Sequence, residues 1–514
     1  MLTLSRQSDR HLRVRLLTVV LAVMALLVLY TQSASADSTV LYVDKNDPSC
    51  SDTGPGTSSQ PFCTIGKGAS VALAGQTVQV ASGTYSELVT VGHSGAAGSP
   101  IVLTAAPGAS VTVTGMANGF KVSGKSYVNI QDFAVDGTTS YGIVVTSSSS
   151  NVTVSGNTVS NTGSHGIYVA PSSTGVTVSG NTVSATTIYG IYVNTSTGVT
   201  VSGNTVSNTT SYGIHVYTSS DVTVSGNDVS GAGERVSGST KYGIKLAATT
   251  GSLVSANVSH DNSEAGVFLD ADTNGVEVTG NLTYGNARGY ARAAPGIDVR
   301  GYSNTIDRNV SHDNEDTGLQ FYTGSHDNLV VDNLAYGNGD HGIDDLGATN
   351  QRIISNTVYD NVAAGINVEG SSTGATVENN ISVDNGISSP RTHSNIRVDS
   401  TSTTGTTVNY NIVFLTTPDT MYVWGSTSYT SLQAFRTATG QEAKGIQADP
   451  SWVSPGSDFH LLAGSEAIDS ADSAVSGETT TDLEGSPRVD DPATPNHGAG
   501  TRKYDDRGAY ELQP

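Results

Sequence analysis

The chain has 514 residues, of which 58 are glycine, 36% apolar and 14% charged, with a formal net charge of −22. Ordinary globular chains carry about 45–50% apolar and about 25% charged residues, so this composition excludes a coiled coil, a helical bundle and strongly charged disorder. So acidic a chain is a poor general binder of nucleic acid or anionic membrane.

Arg6, Arg10, Arg13 and Arg15 precede an apolar run from Leu16 to Tyr30, which is followed by Ala34-Ser35-Ala36. These are the charged, apolar and cleavage regions of a secretory signal peptide over residues 1–36, and the run is short of the roughly 20 apolar residues that span a bilayer. The expected protein is therefore secreted and extracellular, with no membrane contact after cleavage. Cys50 and Cys63 are the only cysteines, and in an exported chain they are expected to form a disulfide. Residues 37–115 read as an N-terminal cap with the first coils, including a short helix near Ile65–Leu73.

From residue 116 to 415 the chain repeats. Gly142-Ile143-Val144-Val145 recurs at Gly166, Gly190, Gly213, Gly243, Gly266, Gly296, Gly318, Gly342 and Gly365, and Asn395-Ile396-Arg397-Val398 closes the series. Most intervals are 22–24 residues, and three are 30. Short period-2 strands between Gly, Asn and Ser turns read as an all-β solenoid, three strands per coil, rising about 4.8 Å per coil. A second recurring residue, Asn157, Asn181, Asn204, Asn227, Asn257, Asn281, Asn309, Asn333, Asn356 and Asn380, is expected to form an internal ladder that pairs buried turn amides. Residues 416–514, with a short helix at Ser431–Thr439, are expected to cap the far end, since bare strand edges aggregate. The capped solenoid is expected to be a monomer.

Two residues after each repeated glycine come Tyr168, Tyr192, His215, Lys245, Phe268, Asp298, Gln320, Asp344, Asn367 and Arg397. Period-2 alternation places them in one outward stripe, joined further along by Asp270, Arg300, Tyr322 and Glu369. Charge concentrates between Lys241 and Arg397. Polar outward positions are ordinary, but such clustering is not explained by solvation alone. The densest group is Asp316-Thr317-Gly318 followed by Asp340-His341-Gly342-Ile343-Asp344-Asp345. Converging carboxylates repel unless protonated or cation-bound, and a calcium ion held by Asp316, Asp340, Asp344 and Asp345 is the expected cofactor.

The N-terminal phrases, the Gly-Ile-X-Val coils and the closing Gly508-Ala509-Tyr510-Glu511 resemble secreted bacterial right-handed parallel β-helix proteins of the pectate-lyase type. Asp316, Asp340 and Asp344 further resemble the calcium motif of the family-nine polysaccharide lyases, although His341 stands where that family has an Asp. The lysine of that family's later Gly-Phe-Lys is absent: Asn367 follows Gly365-Ile366. The resemblance implies a right-handed parallel β-helix and calcium-dependent β-elimination on an acidic polysaccharide such as pectate. Candidate bases are Arg397, His341 and Lys245. Asp298, Arg300, Gln320, Tyr322, Asn367 and His393 would bind substrate. A glycoside hydrolase, an alginate C5-epimerase and a non-catalytic carbohydrate-binding solenoid are the alternatives on the same scaffold.

Overall fold

The structure, a computed structural model, describes residues 40–233, 241–288, 294–387 and 389–513; the expected signal peptide lies outside them. Its strands form three parallel sheets of 15 strands each, every coil contributing one strand to each sheet. The first sheet runs from Val40–Val43 to Thr407–Asn409, the second from Val89–Thr90 to Thr427–Tyr429, and the third from Gly83–Tyr85 to Ile446–Gln447. The last strand of the second sheet is antiparallel to its neighbour. Fold class thus follows the sequence expectation.

Inside, like stacks on like. Ile143 pairs with Ile167, Ile167 with Ile191, and Ile191 with Ile214, and all four are fully buried. The glycine before each isoleucine is set by space. A Cβ on Gly166 would lie 2.3 Å from Val183 Cγ1 and 2.7 Å from the Gly190 carbonyl, so no larger residue fits this corner.

The asparagine ladder forms as expected and extends to Asn411. Each backbone N–H from Asn157 to Asn380 donates to the side-chain oxygen of the next Asn at 2.8–3.0 Å. It ends on a carboxylate, where Asn411 Nδ2 donates to Glu442 Oε1 at 2.9 Å. A second ladder, not anticipated from the sequence, links Asn262, Asn286, Asn314, Asn338, Asn361, Asn385 and Asn395, each side-chain Nδ2 donating to the next Oδ1 at 2.8–3.4 Å. It occupies the corner between the third and second sheets.

At the N-terminus, Cys50 and Cys63 are bonded and helix α1 spans Ile65–Val71. Its free N–H groups are answered by the side chain of Thr64 and by Glu87, which accepts from Ile65 and Gly66 at 2.8 Å each. Helix α2, Leu432–Thr439, starts at Ser431 and stops at the left-handed Gly440, and its Phe435 stacks on Tyr422 at 4.2 Å.

Beyond α2 the tail does more than cap. The outward side of the third sheet carries Leu334, Ile381 and Ile412, and Trp452, Phe459, Leu461 and Ile468 of the tail bury them. Arg488, fully buried, fixes the tail through Asp332 at 2.7 Å and Glu511 at 3.1 Å. The C-terminal segment therefore lies along the third sheet and its corner with the first in the later coils, on another side of the coil from the outward stripe of the second sheet.

Candidate active site on the second sheet

Strand register brings the expected stripe together. Lys245 pairs with Phe268, Phe268 with Asp298, Asp298 with Gln320, Gln320 with Asp344, Asp344 with Asn367, and Asn367 with Arg397. Neighbours are one strand spacing apart, about 4.8 Å. Four such steps separate Lys245 from Asp344, so Lys245 stands apart from the carboxylates. Its ammonium instead lies over the rings of Tyr212, Phe268 and Tyr242, at 4.9, 5.1 and 5.5 Å, and burial lowers its pKa against the pull of Asp270.

Asp344 is at the centre. Gln320 Nε2 donates to one of its oxygens at 3.1 Å and Asn367 Nδ2 to the other at 2.9 Å. Asn367 Nδ2 also meets His341 Nε2 at 3.2 Å, while its oxygen accepts from Arg397 Nη1 at 2.7 Å. The same guanidinium pairs with Glu369 Oε2 at 2.5 Å. Arg397 at one end and Asp344 at the other therefore fix which way the Asn367 amide points.

His341 Nδ1 lies 3.1 Å from the Ala364 carbonyl. A carbonyl only accepts, so Nδ1 carries the proton and Nε2 presents its lone pair among the groove residues. Burial lowers the pKa of His341, which keeps the ring neutral at pH 7. Nε2 is 3.6 Å from Asp340 Oδ1.

Asp340 and Asp316 occupy equivalent places on adjacent coils, as the spacing predicts, and the Asp340 N–H donates to the Asp316 carbonyl at 3.0 Å. Burial raises the Asp340 carboxyl to about 7, with the Asp316 carboxylate adding to the rise and Arg391 opposing it. Arg391, a residue the sequence reading did not select, reaches this pair from the 30-residue interval before Asn395. Its Nη1 is 2.6 Å from Asp340 and 3.9 Å from Asp316. His393 sits two residues further along that insertion, and its Nδ1 is buried with no hydrogen-bond partner among the described residues.

Asp345 is not in the groove. Adjacent residues of a strand face opposite ways, so Asp345 stacks between Phe321 and Val368 inside the coil. Ser372 Oγ donates to it at 3.0 Å, and burial raises its carboxyl to about 8. Further along the stripe, Asp298 takes a two-pronged bond from Arg300 at 3.1 and 3.4 Å, and burial lifts its carboxyl to about 6 against that pull. The Arg300 guanidinium lies 4.7 Å from the Tyr322 ring and 5.1 Å from that of Phe268.

This donor set does not make a calcium cage. Calcium takes six to eight oxygens. Arg391 bridges the outer carboxylates, amide N–H groups cover both oxygens of Asp344, and Asp345 faces inward. Among the described residues, the group of three ligand-type side chains whose atoms come within 4.8 Å of one another is His341, Asp344 and Glu369, a mixed nitrogen and oxygen set that a hard cation does not favour.

The family model described as right handed beta helix region matches residues 109–229 and 291–434, just over half of the chain. The chain belongs to the right-handed β-helix family. One curated relative, uncharacterized protein YwoF of Bacillus subtilis (strain 168), is 35% identical over 127 residues, 22% of this β-helix chain and 26% of the relative. The match thus spans about a quarter of that relative. Among solved structures, the GH136 lacto-N-biosidase from Eubacterium ramulus superposes with a TM-score of 0.48 at 14% identity, over 59% of this chain and 64% of its own. Pectate lyase Pel9A gives 0.37 at 15% identity, over 93% and 97%. These neighbours are carbohydrate-active β-helix enzymes, and at such identities and TM-scores their activities are not carried over to this chain.

Proposed function

We propose that the second-sheet groove is an acid–base site acting on a uronate-containing polysaccharide outside the cell, by β-elimination. The observation that supports it most is His341, a neutral imidazole anchored at Nδ1 whose Nε2 lone pair meets the Asn367 amide at 3.2 Å, a bond that a substrate C–H would have to displace, set among a fixed network of Asp344, Asn367 and Arg397. The C5–H of a uronic acid is weakly acidic because the adjacent carboxylate takes up charge as it leaves. In this reading His341 Nε2 accepts the C5 proton, the C–H electron pair becomes the C4–C5 double bond, and the C4–O bond breaks with its pair. Asp340, protonated in part at neutral pH, returns a proton to the departing oxygen. Arg397, paired with Glu369, serves as charge stabiliser instead of base, since a guanidinium keeps its proton in proteins. Arg300 and Tyr322 would line the path of the polymer.

The test is incubation of the purified chain without residues 1–36 with polygalacturonate and alginate, with and without chelator. Ultraviolet absorbance from unsaturated ends is the expected result. New reducing ends without unsaturation would replace elimination by hydrolysis. Altered uronate configuration without chain cleavage would mean epimerisation, and binding without any product would leave a non-catalytic solenoid.

A further inference from the structure

The groove has two places where carboxylates converge closely enough to need a cation, and the chain's own side chains fill both. The inner one is bounded by His341 Nε2, Asp344 and Glu369. Asn367 Nδ2 stands between the first two, and Arg397 is paired to the third. The outer one lies between Asp316 and Asp340, which are only 8% and 4% exposed. Two acids so buried and so close either share a proton or need a positive charge beside them, and the fraction of Asp340 that is ionised needs the charge. Arg391 supplies it from a side chain that is itself 59% exposed. Asp340 Oδ1 nevertheless finds no hydrogen-bond partner among the described residues, so this position has an oxygen to spare for a ligand.

We propose that Arg391 is the groove's resident cation: its guanidinium takes the place between Asp316 and Asp340 that a divalent ion would need, and calcium binds there only when Arg391 is removed. A guanidinium is always charged and offers five N–H donors in one plane, which suits two carboxylates presented by successive coils. Its source fits as well. Residues 365 to 395 form one of the three 30-residue intervals, and Arg391 comes from the extra length. The inference rests on the same groove as the proposed reaction, but its readout is ion binding, so the two can fail separately.

Calcium titration by calorimetry and by thermal melting, on the wild type, Arg391→Ala and Arg391→Met, tests it. Wild type should show no saturable calcium heat at this position and no loss of melting temperature in chelator. Both variants should gain saturable calcium binding and a calcium-dependent rise in melting temperature of about 2 °C or more, and adding Asp340→Asn to either variant should abolish that gain. Calcium binding in the wild type that Asp340→Asn removes would overturn the proposal. So would two folded variants that stay blind to calcium. Calcium bound elsewhere would persist in Asp340→Asn, leaving the gain in the Arg391 variants to decide.

Discussion

The coils from Tyr141 to Tyr217 and those from Ile297 to Asp399 share one register and one stacked apolar interior, yet their outward faces differ completely. In the earlier coils the second sheet carries rings. Tyr168, Tyr192 and His215 stack with centroids 5.1 Å apart, and beside them Tyr141, His165, Tyr189 and Tyr212 form a second stack. Burial lowers the pKa of His215 to about 3 and that of His165 to about 4, so these histidines stay neutral and pack as rings. In the later coils the same positions hold Asp298, Gln320, Asp344, Asn367 and Arg397, the last four bonded in sequence across strands and Asp298 held by Arg300. A β-helix separates folding from chemistry in this way: the interior fixes the backbone, and a few outward residues per coil decide what the surface does.

Exchanging single residues between the two regions should break the contrast if it is wrong. His341→Ala should cost at least about 100-fold in the elimination rate, the usual scale for a general base, while leaving polymer binding in place. Initial rates on short and long uronate chains measure both. Equal losses in His341→Ala and Tyr192→Ala would make the entire stripe a binding track. Asp340→Asn comes next, with an expected loss of about 10-fold near neutral pH, below the roughly 100-fold of a fully protonated acid because only part of Asp340 carries its proton there. Its pH profile is more telling. The wild-type rate should fall on the alkaline side as Asp340 loses its proton around pH 7, and on the acid side as His341 gains one below its ordinary 6.5. Asp340→Asn should keep the acid limb and lose the alkaline one.

How much of this contrast was legible in the sequence depends on periodicity. The repeated Gly-Ile phrase carried the fold, because a close-packed corner that excludes even a Cβ leaves a mark in every coil. The outward stripe followed from counting two residues past each glycine, and that count brought Asp298, Gln320, Asp344, Asn367 and Arg397 together. The same count, applied one residue further, would have turned Asp345 inward. Arg391 left no periodic mark, since it lies in an insertion whose path no repeat describes. The second asparagine ladder was visible in principle at Asn262, Asn286, Asn314, Asn338, Asn361 and Asn385. The earlier coils place Thr138, Thr162 and Thr186 in the corner that Asn262 and its successors hold later, and the hydroxyls of these threonines have no hydrogen-bond partner among the described residues. Amide pairing thus begins in the coils just before the charged groove and stiffens the turns that carry Asp316 and Asp340. The tail's packing along the side of the coils left no local mark, because its partners, Asp332 for Arg488 and Tyr336 for Phe459, are more than a hundred residues away in sequence.

The interior offers a sharper version of the comparison. Earlier coils bury Val145, Val169 and Val193 where a later coil buries Asp345. Its folded carboxyl titrates near 8, well above the roughly 3.9 of an unfolded Asp. Folding therefore takes up a proton between these values, and stability falls as pH rises through that window, by at most about 1.4 kcal/mol per pH unit for this one group. Asp345→Asn removes the titration. The variant should melt above the wild type at pH 8, with the gap closing toward pH 5, and a gap that stays constant with pH would place the charge elsewhere.

The smallest effect is expected in the earlier coils. Tyr192 stacks on Tyr168 and His215 and meets Tyr189 and His165 at 5.1 and 5.0 Å. Each such pair adds about 0.5–1.5 kcal/mol beyond its buried area, and pairs sharing a ring do not add fully. Tyr192→Ala should therefore cost about 1–2 kcal/mol in denaturant unfolding, while the elimination rate on short uronate chains changes less than about twofold, within the spread of ordinary surface substitutions. Lys245, the nearest charged residue of the stripe, lies two strands further along the sheet and Asp298, the nearest acid, four, so the lost ring touches neither the acids nor His341. A large change in that rate would show that the two regions work as one surface.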